Sequence, residues 1–483
     1  MNKREKVMDR KTIRHALFVY PYQQELSALG VTATYPPLGL EIIAAVMEPY
    51  CIDMDIIDFR RDQGQISDYL KDETDLVCIS INWSLEEPFI ISLIRSLPDQ
   101  IRTIVGGRYA TEDPEKWLRQ CPNIDILIRG DGEDILEKVM NNESLSEIKG
   151  ISYRSYNRVT HNATYVNHTL REDLFPNRTR RRYTWSTGLE RYQVYKTFDT
   201  IVTSRGCPFN CLFCSFSRNP WGVKRPWTPR SAESVVQEIE QTDAEFIAFV
   251  DDIFTHDMDR IDRICDLILK RGIKKHYSVS TRLEIARRPD VLAKMKKAGF
   301  IFLLLGIESA QDKTLKSMKK GFDTQKAAKY MKIIRRSGMI LHGFFLVGAL
   351  GETEEEMLEI APFARKLGID NIQTCILRNS PHSGLEELVY SYPGYHIAPD
   401  GTVYCDECSV KDLEGICNRI HKEFYTPGTI TRLIWKAVHS KLITINSLLK
   451  IPGILIRKPW IQENNQGHFD GSGTVQTYMS NKN

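Results

Sequence analysis

The chain has 483 residues and 42% of them are hydrophobic, which is enough for two or three domains with substantial cores. Its 65 basic and 62 acidic residues leave a formal charge of only +3, which argues against a large nucleic-acid-binding surface. The polar start MNKREKVMDRK lacks the apolar core of a secretory signal, and no apolar run is long enough to cross a bilayer. We therefore expect a cytoplasmic protein whose 11 cysteines are thiols or metal ligands rather than disulfides.

Residues 1–147 alternate short apolar runs with helical patterns. ALFVY, IDMDIID, LVCISIN, RTIVGG and IDILIRG predict buried strands, and this strand–helix alternation predicts a doubly wound, Rossmann-like parallel sheet. Such sheets bind ligands at the carboxyl ends of their strands. The small and polar residues at those predicted ends are Ser80, Asn82, Gly106, Gly107, Gly130 and Glu133. From spacing alone, the glycines are better explained as chain turns.

Residues 148–197 read as a linker that contains a small hairpin, ISYRSYNRVTHNATYVNH. Residues 198–380 then contain six strand-like runs separated by helical patterns, which predicts a partial (β/α)6 barrel of the TIM type with its active groups at the carboxyl-end rim. Residues 381–483 are less regular and predict a mostly helical capping region that contacts substrate.

The stretch GCPFNCLFC places three thiols, Cys207, Cys211 and Cys214, directly after the first predicted strand of the barrel. An odd number of closely spaced cysteines does not suit disulfides, and a structural zinc site usually needs four ligands. Three thiolates can instead hold three irons of a four-iron cluster and leave the fourth iron open. Zinc remains the main alternative.

This CxxxCxxC loop at the rim of a partial barrel resembles the radical S-adenosylmethionine (SAM) superfamily. The resemblance implies that the open iron of a 4Fe–4S cluster binds SAM and that reductive cleavage of SAM gives a 5′-deoxyadenosyl radical, which abstracts hydrogen. It also implies an electron donor such as flavodoxin or ferredoxin.

Further rim residues match this family after successive strands. The resemblance implies that Phe213 packs near the adenine, that Asp251 and Asp252 meet the methionyl end of SAM, and that Ser280 and Arg282 lie near its carboxylate. It assigns the remaining SAM contacts to Gly306 and Glu308 near the ribose and to Gly348 in a glycine-rich turn that continues to Glu352 and Thr353.

The first domain is similar to the cobalamin-binding domain fused to one large class of radical SAM enzymes. The matching stretches are TYPPLGLEIIAAVME, VGGRYATEDPEKW and LIRGDGE. That class includes C-methyltransferases such as hopanoid methylases, and also the anaerobic magnesium-protoporphyrin ester cyclase. The resemblance implies that the strand-end residues from Ser80 to Glu133 bind cobalamin. Residues 1–147 lack the D-x-H-x-x-G motif, and their only histidine, His15, precedes the first predicted strand, so we expect cobalamin without a protein histidine ligand rather than a relic domain.

The resemblance implies methylation of an unactivated carbon in a hydrophobic or tetrapyrrole-like small molecule. Radical oxidation, hydroxylation or ring closure is the main alternative. An RNA-modifying methylthiotransferase is a weaker one, because Cys51, Cys78 and Cys121 read as packing thiols rather than ligands of a second cluster.

The C-terminal region leaves two questions open. Cys405, Cys408 and Cys417, with His421 as a nearby candidate, fit surface or cavity thiols better than a second metal site. The basic amphipathic stretch 429–456 fits a helix packed on its own domain, and contact with a membrane surface is the minority interpretation.

Overall fold

The computed structural model describes residues 13–23, 35–155, 158–189, 194–214, 216, 218–219, 221–379 and 383–443. The chain forms two compact units. The first consists mainly of Thr34–Trp185 with the N-terminal strand and Arg218–Ser234, and the second consists mainly of Ser186–Ser217 and the chain from Val235 onward.

The first unit is built on a seven-stranded sheet with the order β2-β1-β3-β4-β5-β6-β7. Its strands are β1 (Ile13–Tyr20), β2 (Cys51–Asp58), β3 (Thr74–Ser80), β4 (Arg102–Gly106), β5 (Ile126–Ile128), β6 (Ile151–Ser155) and β7 (Arg158–His161). The pairings among β1 to β5 are parallel. This order confirms the predicted doubly wound fold and creates a topological switch point between β1 and β3, where such sheets bind ligands.

The helices of this unit are α1 (Leu38–Met47), α2 (Glu87–Arg95), α3 (Arg108–Glu112), α4 (Pro114–Gln120) and α5 (Glu133–Met140). Local sequence explains their starts. The Asp113 side chain accepts a hydrogen bond from the Lys116 N–H at the start of α4, and Pro114 occupies its first position. On α5, Ile135, Leu136 and Val139 recur at helical spacing and face the buried core.

The predicted linker begins with strands that continue this sheet. β6 pairs antiparallel with β5, and β7 pairs antiparallel with β6. The short strand β11 (Thr228–Pro229) also belongs to the first unit, within the segment that returns to it after the cysteine loop.

The second unit contains a seven-stranded sheet with the order β16-β15-β14-β13-β12-β9-β8. The strands are β8 (Ser186–Leu189), β9 (Val194–Ile201), β12 (Phe246–Phe249), β13 (His276–Thr281), β14 (Phe300–Glu308), β15 (Ile340–Val347) and β16 (Asn371–Ile376), and the short strand β10 (Ser204–Arg205) follows β9. The six strands from β9 to β16 in this sheet are parallel, and only β8 is antiparallel. Since β8 and β16 are the two ends of the sheet, the sheet is open, which confirms the predicted partial barrel.

The helices around this sheet are α6 (Ala232–Gln241), α7 (Met258–Lys270), α8 (Pro289–Ala298), α9 (Asp312–Ser317), α10 (Thr324–Ile334), α11 (Glu354–Leu358) and α12 (Ile360–Leu367). The stretch that predicted one helix, TEEEMLEIAPFARKLG, forms two, because the helix is interrupted at Glu359. A capping box between Thr353 and Glu356 starts α11.

The described part of the C-terminal region, residues 383–443, is mostly helical, as predicted. It contains α13 (Leu385–Tyr390), the hairpin β17 (Tyr395–Ile397) and β18 (Val403–Cys405), α14 (Val410–Phe424) and α15 (Pro427–His439). Residues 444–456 of the predicted amphipathic stretch lie outside the described residues. Among the helices described, none combines the length and apolar character needed to cross a membrane.

Candidate active site

The cysteine loop leaves the carboxyl end of β9 and β10, at the rim where a parallel barrel positions its active groups. Cys207, Cys211 and Cys214 are all partly exposed thiols. The Cys214 N–H donates to the Cys211 carbonyl over 3.1 Å, which forms a turn between two of the thiols. At the start of the loop, the Gly206 N–H donates to Asp252 over 2.7 Å.

The neighbouring carboxylate of Asp251 fixes the end of the first barrel strand. It is buried and accepts hydrogen bonds from the Thr203 N–H at 2.7 Å, the Thr203 hydroxyl at 2.5 Å and the Ser204 hydroxyl at 2.5 Å. Burial raises the pKa of Asp251 to about 6. Its contacts therefore hold the strand end from which the cysteine loop departs.

The donor set of the loop fits a multi-iron cluster. In the described part of the chain, the one group of closely gathered metal-ligating side chains is His15 with Asp53 and Asp55, so the three loop thiols are not drawn around a single point. A zinc ion needs ligands gathered around one centre, whereas a four-iron cluster spreads three thiolates over three metals. Burial raises the pKa of the Cys214 thiol to about 11.

Arg282, immediately after β13, lies against the cysteine loop. Its Nη1 is 3.4 Å from the Cys211 sulfur, and the guanidinium carbon lies 3.9 Å from the centre of the Phe209 ring. Hydrogen bonds to the Lys320 carbonyl and an ion pair with Glu284 at 3.2 Å hold the side chain, which is 9% exposed. The guanidinium group of Arg282 is thus fixed beside the Cys211 sulfur.

A buried ion pair follows β14. Glu308 and Lys320 lie 2.7 Å apart with side chains 9% and 5% exposed. A Cβ at Gly306 would lie 2.4 Å from Glu308 Oε1, so the glycine allows this close approach. Lys320 Nζ also lies 5.8 Å from the centre of the Phe213 ring, which links the pair to the cysteine loop. Sequence reasoning missed Lys320, because a lysine in the run KKGF carries no signal of burial.

The other predicted SAM residues have more varied surroundings. The Ser280 carbonyl, at the end of β13, accepts from the Phe254 N–H over 3.3 Å. Gly348 is packed against α14, where an added Cβ would lie 3.0 Å from Leu413. Glu352 is buried and accepts hydrogen bonds from Ser309 and Thr314, both at 2.6 Å, so this carboxylate ties the β14 and β15 ends together.

In the first unit, two of the predicted residues, Ser80 and Asn82, lie at the carboxyl edge of the sheet beside Tyr22, which the sequence did not single out. The buried Tyr22 hydroxyl accepts from the N–H groups of Asn82 and Trp83 at 2.8 and 2.7 Å. Asn82 in turn donates to the Ser80 hydroxyl over 3.0 Å and accepts from the Arg108 N–H over 3.2 Å. These residues lie at the switch point between β1 and β3, and Trp83 is 45% exposed there.

Two glycines at this edge allow close backbone or side-chain approach. Gly107 has φ +106°, and a Cβ there would lie 2.4 Å from the Ile81 carbonyl oxygen. Gly130 has φ +90°, and a Cβ there would lie 2.6 Å from the Trp221 ring. Glu133 is buried at the start of α5 after the same turn, and Gly106 ends β4. An edge that combines glycines, amides and an exposed indole fits a large ligand rich in amide groups, such as cobalamin.

His15 lies at the other end of the sheet. It is the third residue of β1, not ahead of the strand as the sequence analysis had it, because pairing with β2 already begins at Ile13. Its ring nitrogens lie 2.8 Å from the Thr74 hydroxyl and 3.1 Å from Asp55. Lys71 pairs with Asp53 and Asp55 at 2.8 Å, so an ammonium group already balances this acidic pair.

The remaining cysteines do not gather into a second site within the described residues. Cys51, Cys78 and Cys121 are buried in the core of the first unit. Cys405 and Cys408 exchange backbone hydrogen bonds of 3.2 and 3.1 Å across a tight turn. Cys417 is buried on α14, where His421 bonds to the Thr374 hydroxyl over 3.0 Å.

Comparison with known proteins agrees with these two units. Residues 201–364 match the Radical SAM superfamily, and residues 28–140 match the B12 binding domain. An uncharacterized methyltransferase of Pyrococcus horikoshii is 29% identical over 77% of this chain and 82% of its own length. The anaerobic magnesium-protoporphyrin IX monomethyl ester cyclase of Cereibacter sphaeroides is 24% identical over 71% of this chain, which spans 58% of that protein.

Among solved structures, the chain is similar to the radical SAM methyltransferase TsrM of Kitasatospora setae, determined with cobalamin and a 4Fe–4S cluster bound. The TM-score is 0.63, the identity is 17%, and 90% of this chain and 91% of that chain are covered, so the likeness concerns the fold. The two matched domains imply a 4Fe–4S cluster, SAM and cobalamin as cofactors. With its cysteine loop at the rim of an open barrel, this chain joins a region that matches the Radical SAM superfamily to an N-terminal region that matches the B12 binding domain.

Proposed function

We propose that this protein is a cobalamin-dependent radical SAM methyltransferase that methylates an unactivated carbon of a hydrophobic or tetrapyrrole-like small molecule. The observation that carries the proposal is the three-cysteine loop at the carboxyl rim of the open barrel, in a chain whose other unit matches the B12 binding domain. When bound, the cluster supplies an electron for SAM cleavage and cobalamin carries the methyl group.

Residues of this chain have distinct tasks in the proposal. Cys207, Cys211 and Cys214 hold the cluster, and Arg282 fixes a positive charge beside Cys211. Asp251 positions the loop through Thr203 and Ser204, as its hydrogen bonds indicate. The proposed SAM-binding surface comprises Phe213, Asp251, Asp252, Ser280, Arg282, Gly306, Glu308 and Gly348, and the proposed cobalamin-binding surface comprises Ser80, Asn82, Gly106, Gly107, Gly130 and Glu133.

The substrate class rests on the related proteins. One relative is called a methyltransferase and another acts on a magnesium-protoporphyrin ester, so an apolar or tetrapyrrole-like substrate is the class to test first. A small flavodoxin or ferredoxin is the proposed electron donor. The formal charge of only +3 gives no support for a nucleic-acid substrate.

Radical oxidation or ring closure is the second candidate, because the cyclase relative is 24% identical over 71% of this chain. A methylthiotransferase is less well supported. That reaction would require a second cluster in the first unit, whose cysteines Cys51, Cys78 and Cys121 are instead buried among apolar side chains.

Product analysis separates the two leading candidates. Anaerobic turnovers with reductant, cobalamin and candidate substrates should yield S-adenosylhomocysteine and 5′-deoxyadenosine in similar amounts, with a methyl gain on the substrate by mass spectrometry. If 5′-deoxyadenosine is the only SAM product and the substrate gains oxygen or loses hydrogen, the reaction is radical oxidation or ring closure and not methylation. The Cys211→Ala variant is the matched control and should give neither product.

A further inference from the structure

The segment that follows the cysteine loop contributes an aromatic side chain to the first unit. Arg218–Ser234 belongs to that unit, and its first residues form a tight turn. The Asn219 N–H donates to the Val223 carbonyl over 2.9 Å, the Val223 N–H donates to the Asn219 side chain over 2.9 Å, and Arg218 donates to the Gly222 carbonyl over 2.8 Å. Trp221 lies within this turn.

The turn is anchored at the carboxyl end of β5. Arg225 Nη2 lies 2.7 Å from both carboxylate oxygens of Asp131, and the Trp221 ring lies directly over Gly130. Farther along, Ser231 donates to Glu172 through its hydroxyl at 2.7 Å and its N–H at 2.8 Å. The segment is thus held at Arg225 and at Ser231, and the indole of Trp221 has a defined place beside the Gly130 turn.

The indole N–H of Trp221 has no hydrogen-bond partner although its nitrogen is buried. A buried donor without an acceptor is unfavourable, so an unpartnered group of this kind calls for an explanation such as a bound ligand or an ordered water. The indole lies beside Gly130, at the edge where the strand-end residues of the B12-binding domain gather. Cobalamin carries many amide carbonyls at the periphery of its corrin ring, and each of these is an acceptor for an N–H donor.

We propose that Trp221 is a cobalamin-contacting residue whose indole N–H donates to an acceptor group of the bound cofactor. Arg225 acts as a positioning residue, because its contact with Asp131 sets where the indole lies. The inference rests on the proposed function to the extent that the first unit must bind cobalamin. It adds a contact from a segment outside residues 28–140, which match the B12 binding domain.

The test is equilibrium binding of hydroxocobalamin to the full-length, anaerobically purified protein, followed by absorbance after ultrafiltration. Trp221→Phe keeps an aromatic side chain but removes the N–H group together with the outer part of the ring over Gly130, so we expect the dissociation constant to rise about fivefold. Trp435→Phe on α15 is the matched control, since Trp435 is 55% exposed in the second unit, and its affinity should equal that of the wild type.

Each result separates this inference from the proposed function. Wild-type affinity in Trp221→Phe would overturn the role of Trp221 and leave cobalamin binding intact, whereas no binding by the wild type would contradict the cofactor assignment itself. If Trp221→Phe does not fold, Arg225→Gln keeps the indole and releases its anchor. Weaker hydroxocobalamin binding by Arg225→Gln would support the inference, and unchanged binding would overturn it.

Discussion

At the scale of single residues, the cysteine loop is bordered by side chains that are already fixed by contacts within the second unit. Asp252 accepts from Gly206 at the start of the loop, and Arg282 contacts Cys211 in its middle. Fixed polar groups around a metal centre orient its ligands and tune its redox potential. We therefore expect substitutions at this border to change the properties of the cluster more than its presence.

Loss of the loop thiols should remove the cluster altogether. Cys207→Ala, Cys211→Ala and Cys214→Ala each delete one of three ligands, so anaerobically reconstituted protein should lose its iron, its sulfide and the electron paramagnetic resonance signal of a reduced 4Fe–4S cluster. Cys405→Ala with Cys408→Ala is the control, because these thiols lie in a separate turn. A cluster that survived in the triple variant but disappeared in this control would refute the assignment.

Arg282 should raise the reduction potential of the cluster. A fixed positive charge beside Cys211 stabilises the more negative, reduced state, so Arg282→Gln should lower the potential by on the order of 50 mV. A redox titration without SAM, monitored by electron paramagnetic resonance, measures this shift. Arg287→Gln is a matched control on the same connection, since Arg287 bonds only to the Tyr330 hydroxyl among its described hydrogen bonds. Equal potentials in all three proteins would show that Arg282 acts elsewhere, for example on the SAM carboxylate.

At the scale of elements, the turn from β4 into α3 shows how strand ends are shaped for a ligand. The N–H groups of Tyr109 and Ala110 donate to the Ile81 carbonyl at 3.1 and 3.2 Å, so the start of α3 is tied to the end of β3. Gly107 makes this possible, because its positive φ and missing side chain let the turn pass directly over Ile81. The shape of the sheet edge that is predicted to bind cobalamin thus depends on the close contact between the Gly107 turn and the backbone of Ile81.

Substitution of this glycine should destabilise the first unit. In Gly107→Ala, the Cβ would meet the Ile81 carbonyl oxygen and the backbone would be strained, so we expect a loss of about 2 to 4 kcal/mol in the free energy of unfolding. Urea denaturation followed by circular dichroism measures the change. Gly39→Ala in the first turn of α1 has open space around the new methyl group and should be neutral or stabilising by up to ~1 kcal/mol. Similar midpoints for the two variants would contradict the strain argument.

At the scale of the whole molecule, each unit has a parallel sheet with its candidate site at the carboxyl ends of the strands. The cysteines follow β9 in the second unit, and Tyr22, Asn82 and Gly130 follow β1, β3 and β5 in the first. His15 lies near the amino end of β1, where Thr74 and Asp55 engage both ring nitrogens. The sheet therefore keeps this histidine away from the edge that is predicted to bind cobalamin.

Bound cobalamin should consequently have no protein histidine on its cobalt. The electron paramagnetic resonance spectrum of cob(II)alamin in the full-length protein should lack nitrogen superhyperfine splitting from an imidazole. His15→Gln should leave that spectrum unchanged, although it perturbs the buried contacts with Thr74 and Asp55. Splitting that is present in the wild type and lost in His15→Gln would contradict the placement of the site.

The sequence by itself determined the two sheets and the cysteine loop, and the resemblance of its motifs to known families implied the cofactor classes. Apolar runs of strand length that alternate with helical patterns are local signals, and so is the spacing of Cys207, Cys211 and Cys214, which lie within eight positions. Both the doubly wound unit and the open barrel agree with those signals. The local sequence also predicted the hairpin of β6 and β7. It did not predict that this hairpin belongs to the first sheet, because the pairing of β6 with β5 joins segments that are distant in the sequence.

Only the tertiary structure decided which side chains meet. Four contacts join residues that are 12 to 91 positions apart in the chain. They are Lys320 with Glu308, Arg282 with Cys211, Tyr22 with Asn82 and Trp221 with Gly130. Lysine, arginine and tryptophan in loops carry no periodic pattern that would reveal their partners. Partner choice depends on how strands are ordered and where loops return, and that order is fixed by packing of the complete chain.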